Sequence, residues 1–127
     1  MGHYYYLDDR KLAGDGYRLA KQVLRMSPRP TAIFAACDLL AAGVLQAIYE
    51  EGLRVPDQIS IVGFDDTFAP YLTPKLTTAE QPMAELGRIA ARLALRALDL
   101  PGDEGEYAHE RLSTRLVVRD STGPASV

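Results

Sequence analysis

RPTAIFAACDLLAAGVLQAIYEEGLRVPDQISIVGFDD, residues 29–66, holds two short apolar runs with a helical stretch between them. Thr31 to Ala36 is apolar on both pleat faces and preceded by Pro28 and Pro30, the pattern of a strand covered on both sides. That pattern puts it at the centre of a sheet. Asp38 then stands where a carboxylate caps a helix, and Leu40, Val44, Ala47 and Ile48 recur at helical spacing up to Glu51. Gly43 in mid-helix implies close packing, and Gly52 supplies a C-terminal cap. Ile59 to Phe64 is the second strand, ended by Asp65 and Asp66. Because a crossover of this kind makes its two strands parallel, their C-terminal ends share the edge at which open α/β sheets bind ligands. Cys37, Asp38 and Asp65 are therefore expected to converge on a small-molecule site.

Working outward, Tyr4 to Leu7 reads as an extended segment because of its three consecutive tyrosines, and Asp15 to Met26 as a helix. Gly14 and Gly16 weaken the start of that helix. After Asp66 the pattern is irregular to Pro74, with Phe68, Tyr71 and Leu72 as apolar points of a candidate contact surface. Leu76 to Ala79 is a brief strand, and Pro82 opens a helix to Leu98 whose apolar stripe is Leu86, Ala90, Leu93 and Ala97. Arg88, Arg92 and Arg96 line its other side as an ordinary solvated face. An acidic turn at Pro101 to Gly105 leads to extended pieces at Tyr107 to Leu112 and Thr114 to Arg119. Ser121 to Val127 has the composition of a fraying tail, with 123–127 disordered.

Composition narrows the function. A chain of 127 residues, 47% hydrophobic and 24% charged, is one ordinary globular domain. Its net charge of -3, with scattered basic residues, lacks the footprint of a nucleic-acid binder. One cysteine excludes an internal disulfide and offers no metal pair, and neither a metal nor a cofactor is expected. No apolar run is long enough for a membrane span and the N-terminus has no signal-peptide core, which reads as a soluble, cytoplasmic protein.

PTAIFAACD, GLRVPDQISIVGFDD, PKLTTAEQPMAELGRIAA and RLSTRLVVRDST, in that order, resemble the C-terminal part of the lac and galactose repressor (LacI/GalR) family over about residues 15–122. The resemblance implies an α/β fold, a Rossmann-like parallel sheet with flanking helices, as part of a periplasmic-binding-protein-like (type I) effector domain covering residues 1–122. It implies further that a DNA-binding headpiece and most of a first subdomain would precede residue 1, so that DNA is reached only through a headpiece outside this chain. The effector would be a sugar or sugar-like metabolite, bound weakly or undetectably by this chain alone.

Site residues follow from the same resemblance. Asp65 matches the aspartate that accepts hydroxyls of the effector, or is a strand-end residue capping its loop. Cys37 replaces an asparagine of the ligand site, and a thiol is a weaker donor and acceptor than an amide; it is equally readable as a small buried hydrophobe. Gln81 and Met83 match cleft-lining positions, Met83 being otherwise helix-start packing. Asp38 is a further ligand candidate, although Asp38 and Asp66 also read as caps. Leu39, Leu40 and Tyr71 fall on surfaces that form dimers, and Leu86 and Leu93 on a helix face that needs a partner, so a homo-oligomer is expected. The alternatives are a periplasmic-type solute-binding module, a truncated regulator acting only through dimerisation, and, with no base paired to Cys37, a disfavoured small enzyme.

Overall fold

Ala32 pairs with Ser60 and Phe34 with Val62, so the two runs that bracket residues 29–66 are parallel. A computed structural model describes residues 13–98 and 109–125. The described residues fall into two units, one within Met1–Glu80 and Leu116–Val127, the other Gln81–Arg115. In the first, β1 (Ala32–Phe34), β2 (Ser60–Asp65) and β3 (Thr77–Glu80) stand side by side, with β4 (Arg115–Val117) next to β3. β2 and β3 are also parallel, Val62 facing Thr77 and Asp65 facing Glu80. Among the described residues β1 is therefore an outer strand and β2 an inner one. The expectation of a central Thr31 to Ala36 is corrected among the described residues, where Phe34 on the outer strand is 64% exposed; a short apolar run does not by itself distinguish an inner strand from an outer one.

Two helices pack on each other in this unit, α1 (Ala13–Val23) and α2 (Asp38–Glu50). α2 buries Leu40, Ala41, Val44, Leu45, Ala47 and Ile48, and these join Ile59, Ile61 and Leu76 of the sheet region in one core. The helices meet at two glycines. A side chain at Gly16 would strike the Leu40 carbonyl, and one at Gly43 the Ala13 carbonyl, with the Tyr17 amide at 2.7 Å. Gly43 thus has the close-packing role read from the sequence, whereas Gly16, read as a weakness, is the matching contact point. Alongside, Tyr17 donates to Glu50 at 2.6 Å and Lys21 lies 2.8 Å from Glu51. α2 ends where Gly52 takes φ +70° and the amides of Gly52 and Leu53 donate back to Tyr49 and Ile48, the double bond that closes a helix with a left-handed residue.

Asp38 begins α2 rather than capping it. Cys37, extended at φ -158°, occupies the N-cap with no side-chain bond. The Asp38 carboxylate, wholly buried, reaches across to two other segments. Thr78 of β3 donates its hydroxyl to Oδ1 at 2.7 Å, and the amides of Phe68 and Ala69 donate to Oδ2 at 3.1 and 3.0 Å. Those amides open a 3-10 turn, Ala69–Tyr71, which lies inside the stretch read as irregular. Gly63 makes room, since a Cβ there would stand 2.5 Å from Asp38 Oδ1 and 2.6 Å from Leu76 Cδ2.

At another place on the sheet, Ser121 ties β2 to β3. Its hydroxyl donates to the Ile61 carbonyl at 2.6 Å and accepts the Thr77 amide at 2.8 Å, while its carbonyl takes the Ile61 amide at 2.8 Å. Ser121 is fully buried, and Gly123 is bonded to Ser60. The fraying expected from Ser121 onward is thereby corrected for 121–123: composition described a tail, but its polar groups complete a ladder.

The second unit contains α3 (Met83–Leu98), held at its start by the Leu86 amide donating to Pro82. Ile89 is buried and Leu93 half-buried, while Leu86, Ala90 and Ala97 are exposed, so the covered face centres on Ile89 rather than on the stripe read from the sequence. Residues 109–112 carry no strand. The Tyr4 to Leu7 segment and the Pro101 to Gly105 turn lie outside the described residues.

Two outcomes follow for stability, both read by urea unfolding. Gly43→Ala should lose about 3 kcal/mol because backbone opposes the new methyl, whereas Gly14→Ala, with nothing within 4 Å, should gain about 0.5 kcal/mol; equal effects would contradict the helix contact. Asp38→Asn should cost about 2–4 kcal/mol by turning an amide NH2 toward donors, while Asp57→Asn, at an exposed pair with Arg54, should change stability by less than about 1 kcal/mol.

Candidate functional site

Parallel pairing brings the C-terminal ends of β1 and β2 to one edge, where the sequence-predicted Asp65 ends β2 and Cys37 follows β1. Cys37 is half-buried against the core, fitting a small hydrophobe while keeping part of its surface open. Asp38, grouped with them as a ligand candidate, is corrected: zero exposure and three internal donors leave its carboxylate no face for a solute in this conformation.

Asp65 and Asp66 both adopt positive φ, +100° and +60°. Residues with a side chain hold such angles at a cost of about 1–3 kcal/mol each, and aspartate, like asparagine, tolerates them better than most because its short polar side chain can bond locally. Asp65 does so, its Oδ1 accepting the Thr67 amide at 2.8 Å. Its Oδ2 has no hydrogen-bond donor among the described residues, and the side chain is half-exposed.

Asp66 is occupied instead. Arg119 grips it with two nitrogens, Nη1 to Oδ1 at 2.7 Å and Nη2 to Oδ2 at 3.0 Å. Nη1 also donates to the Leu76 carbonyl at 2.9 Å. This pairing holds the guanidinium pKa above its ordinary value, with burial opposing. Asp66 thus has both carboxylate oxygens committed to Arg119.

Of three neighbouring aspartates, only Asp65 presents an unfilled carboxylate oxygen. Gln81 and Met83 belong to the second unit, where Met83 is 59% exposed. Leu40, read as an oligomer contact, is corrected to core, since it is buried and its backbone meets Gly16. Leu39 is half-buried, and Tyr71 is 83% exposed. Among the described residues no group of His, Cys, Asp and Glu could hold a metal ion, and no helix is long and apolar enough to cross a membrane.

Sequence reasoning did not find Thr78, Arg119 or Ser121, whose roles appear only across long separations. Gly63 was the one available signal: a glycine inside a β-branched strand marks a close approach, here by Asp38.

Residues 3–122 match the periplasmic binding protein-like domain. The HTH-type transcriptional repressor ExuR of Bacillus subtilis, itself a probable assignment by its name, is 37% identical over 107 residues, 84% of this chain and 32% of that protein. The ribose operon repressor of Haemophilus influenzae is 41% identical over 102 residues, 80% of this chain and 30% of that protein. Among solved structures, a LacI family transcriptional regulator from Enterococcus faecium with bound ribose superposes with a TM-score of 0.79 at 35% identity, covering 92% of this chain and 42% of the other. The chain thus spans about a third of the length of the curated relatives it matches. It belongs to the periplasmic-binding-protein-like domain family, in the form carried by LacI-family transcriptional regulators.

Proposed function

We propose that this chain forms part of the effector-binding domain of a cytoplasmic, non-catalytic transcriptional regulator, and that Asp65 receives the effector. The observation that carries this reading is the unfilled Oδ2 of Asp65 at the C-terminal end of β2, beside two aspartates whose oxygens are all taken. An ionised carboxylate only accepts, so it selects a ligand that presents hydroxyl donors. Polyols and sugars do so, in keeping with the ribose bound by the E. faecium relative.

Cys37 stands at the same strand-end edge and would add a small, weakly polar contact in place of a strong amide one. An effector with fewer demands at that hydroxyl is the consequence. In an intact regulator the effector would act by binding one conformation better than another and shifting their populations.

The same reading includes dimerisation. Tyr71 and Tyr49 are each 83% exposed, and an apolar hollow of about 230 Å³ is lined by Leu45, Ile48, Tyr49, Leu53, Val55, Thr73 and Pro74. An exposed aromatic lining an apolar hollow, as Tyr49 does, is a feature of an interface centre, and Leu39 and Tyr71 are further proposed dimer contacts.

Titrating a regulator that carries this domain against pentoses and hexoses tests the site: Asp65→Asn should weaken the sugar that binds by about 1.5–3 kcal/mol without lowering the melting temperature, and unchanged affinity would sink the assignment. Sedimentation of the chain over a concentration series tests the surface. Tyr71→Glu should raise the dimer dissociation constant by about tenfold or more, and a concentration-independent monomer in the unsubstituted chain would contradict the proposal.

A further inference from the structure

The bond that fixes Asp66 points to a role for a residue far from it in the chain: we propose that Arg119 is the positioning residue for the Asp65 carboxylate. This rests on the reading of Asp65 as the effector group and extends it to what holds that group in place.

Asp65 and Asp66 are consecutive non-glycine residues at φ +100° and +60°. They share a peptide, so rotation at one re-aims the other. The Thr67 amide bonded to Asp65 Oδ1 lies only two residues away, and such a local bond moves with the turn without anchoring it. The anchors are on either side. Downstream, the amides of Phe68 and Ala69 are tied to Asp38. At the turn itself, Asp66 has Arg119 as its hydrogen-bonding partner among the described residues, and the planar guanidinium fork fixes position and plane together.

Arg119 is itself held on every side that bears on this. Its amide donates to Thr77 Oγ1 at 2.9 Å, its Nη1 also donates to the Leu76 carbonyl, and the next amide, Asp120, donates to the Lys75 carbonyl at 3.0 Å. The two side chains are 17% and 15% exposed, so water screens the pair little. A lysine could supply the charge but not two parallel bonds, and would leave one Asp66 oxygen unfilled.

The test uses NMR of the labelled chain and sugar titration of a regulator carrying it, with D-ribose as the probe. In the unsubstituted chain Asp65 and Asp66 should show the strong intraresidue amide-to-Hα contact that positive φ produces. Arg119→Lys should weaken that contact at both residues while the β1–β2 and β2–β3 cross-strand contacts persist, and Arg119→Met should remove it. Persistence of the positive-φ signature at Asp65 in both variants overturns the proposal. In titration, Arg119→Lys should weaken D-ribose about tenfold with a melting temperature close to the parent's. If Asp65→Asn weakens ribose and Arg119→Lys does not, positioning is overturned and the Asp65 reading survives. If Asp65→Asn leaves ribose binding unchanged, the Asp65 reading is overturned, whatever the NMR signature shows about the turn.

Discussion

A carboxylate taken wholly out of water is tolerated only when its oxygens are filled by well-placed donors, and Asp38 meets that condition with a hydroxyl and two amides from different segments. The start of α2, the strand β3 and the turn after β2 are thereby tied at one point. None of the three can move by itself without exposing a buried charge to an unfilled position. The neighbouring strand accommodates this by having no side chain at Gly63. What resembles a site residue in the sequence is the fastening of the site's frame.

The same physics distinguishes the two aspartates at the end of β2. Each could in principle accept hydroxyls, and each sits at an unfavourable φ. Asp66 is committed to a guanidinium that satisfies both its oxygens, whereas Asp65 uses one oxygen locally and keeps the other open. A pair of adjacent identical residues therefore divides into one that holds and one that can receive. Were both open, two like charges would compete for counter-ions at one strand end; the Arg119 bond removes that competition.

Much of the frame was legible because it rests on periodicity. The strand, helix and strand of residues 29–66, the close packing at Gly43 and the cap at Gly52 all appear where hydrophobic spacing and glycine chemistry put them. The misreadings share a cause. Asp38 looked like a cap of its own helix because local geometry favours that, yet Thr78 lies 40 residues away. Leu40 lies in the apolar stripe of α2 and is a dimer candidate only through the family resemblance; both faces of α2 are apolar, and a helix covered on two sides carries little information about which leucine faces outward. β1 was placed centrally since burial on a sheet depends on neighbours that a short run does not name.

The most instructive misreading concerns Ser121, which sequence composition assigned to a tail. Tails are recognised by the absence of apolar residues, but this segment stabilises the sheet through polar bonds, with Ser121 joining Ile61 and Thr77. The chain leaves the first unit after Glu80 and re-enters it at Leu116. Its ladder on β2 and β3 is therefore completed by residues that follow the second unit, across a separation of 60 positions at Ser121 and 53 at Arg119. Loop closure over such lengths costs entropy that grows only slowly with length, so a few buried hydrogen bonds suffice to offset it. The returning segment then does two things at once: Ser121 satisfies backbone groups of the sheet, and Arg119, two residues earlier, reaches the turn that carries Asp65. Frame and candidate site are joined by the same short stretch of chain, which is why neither could be understood from residues 29–66 alone.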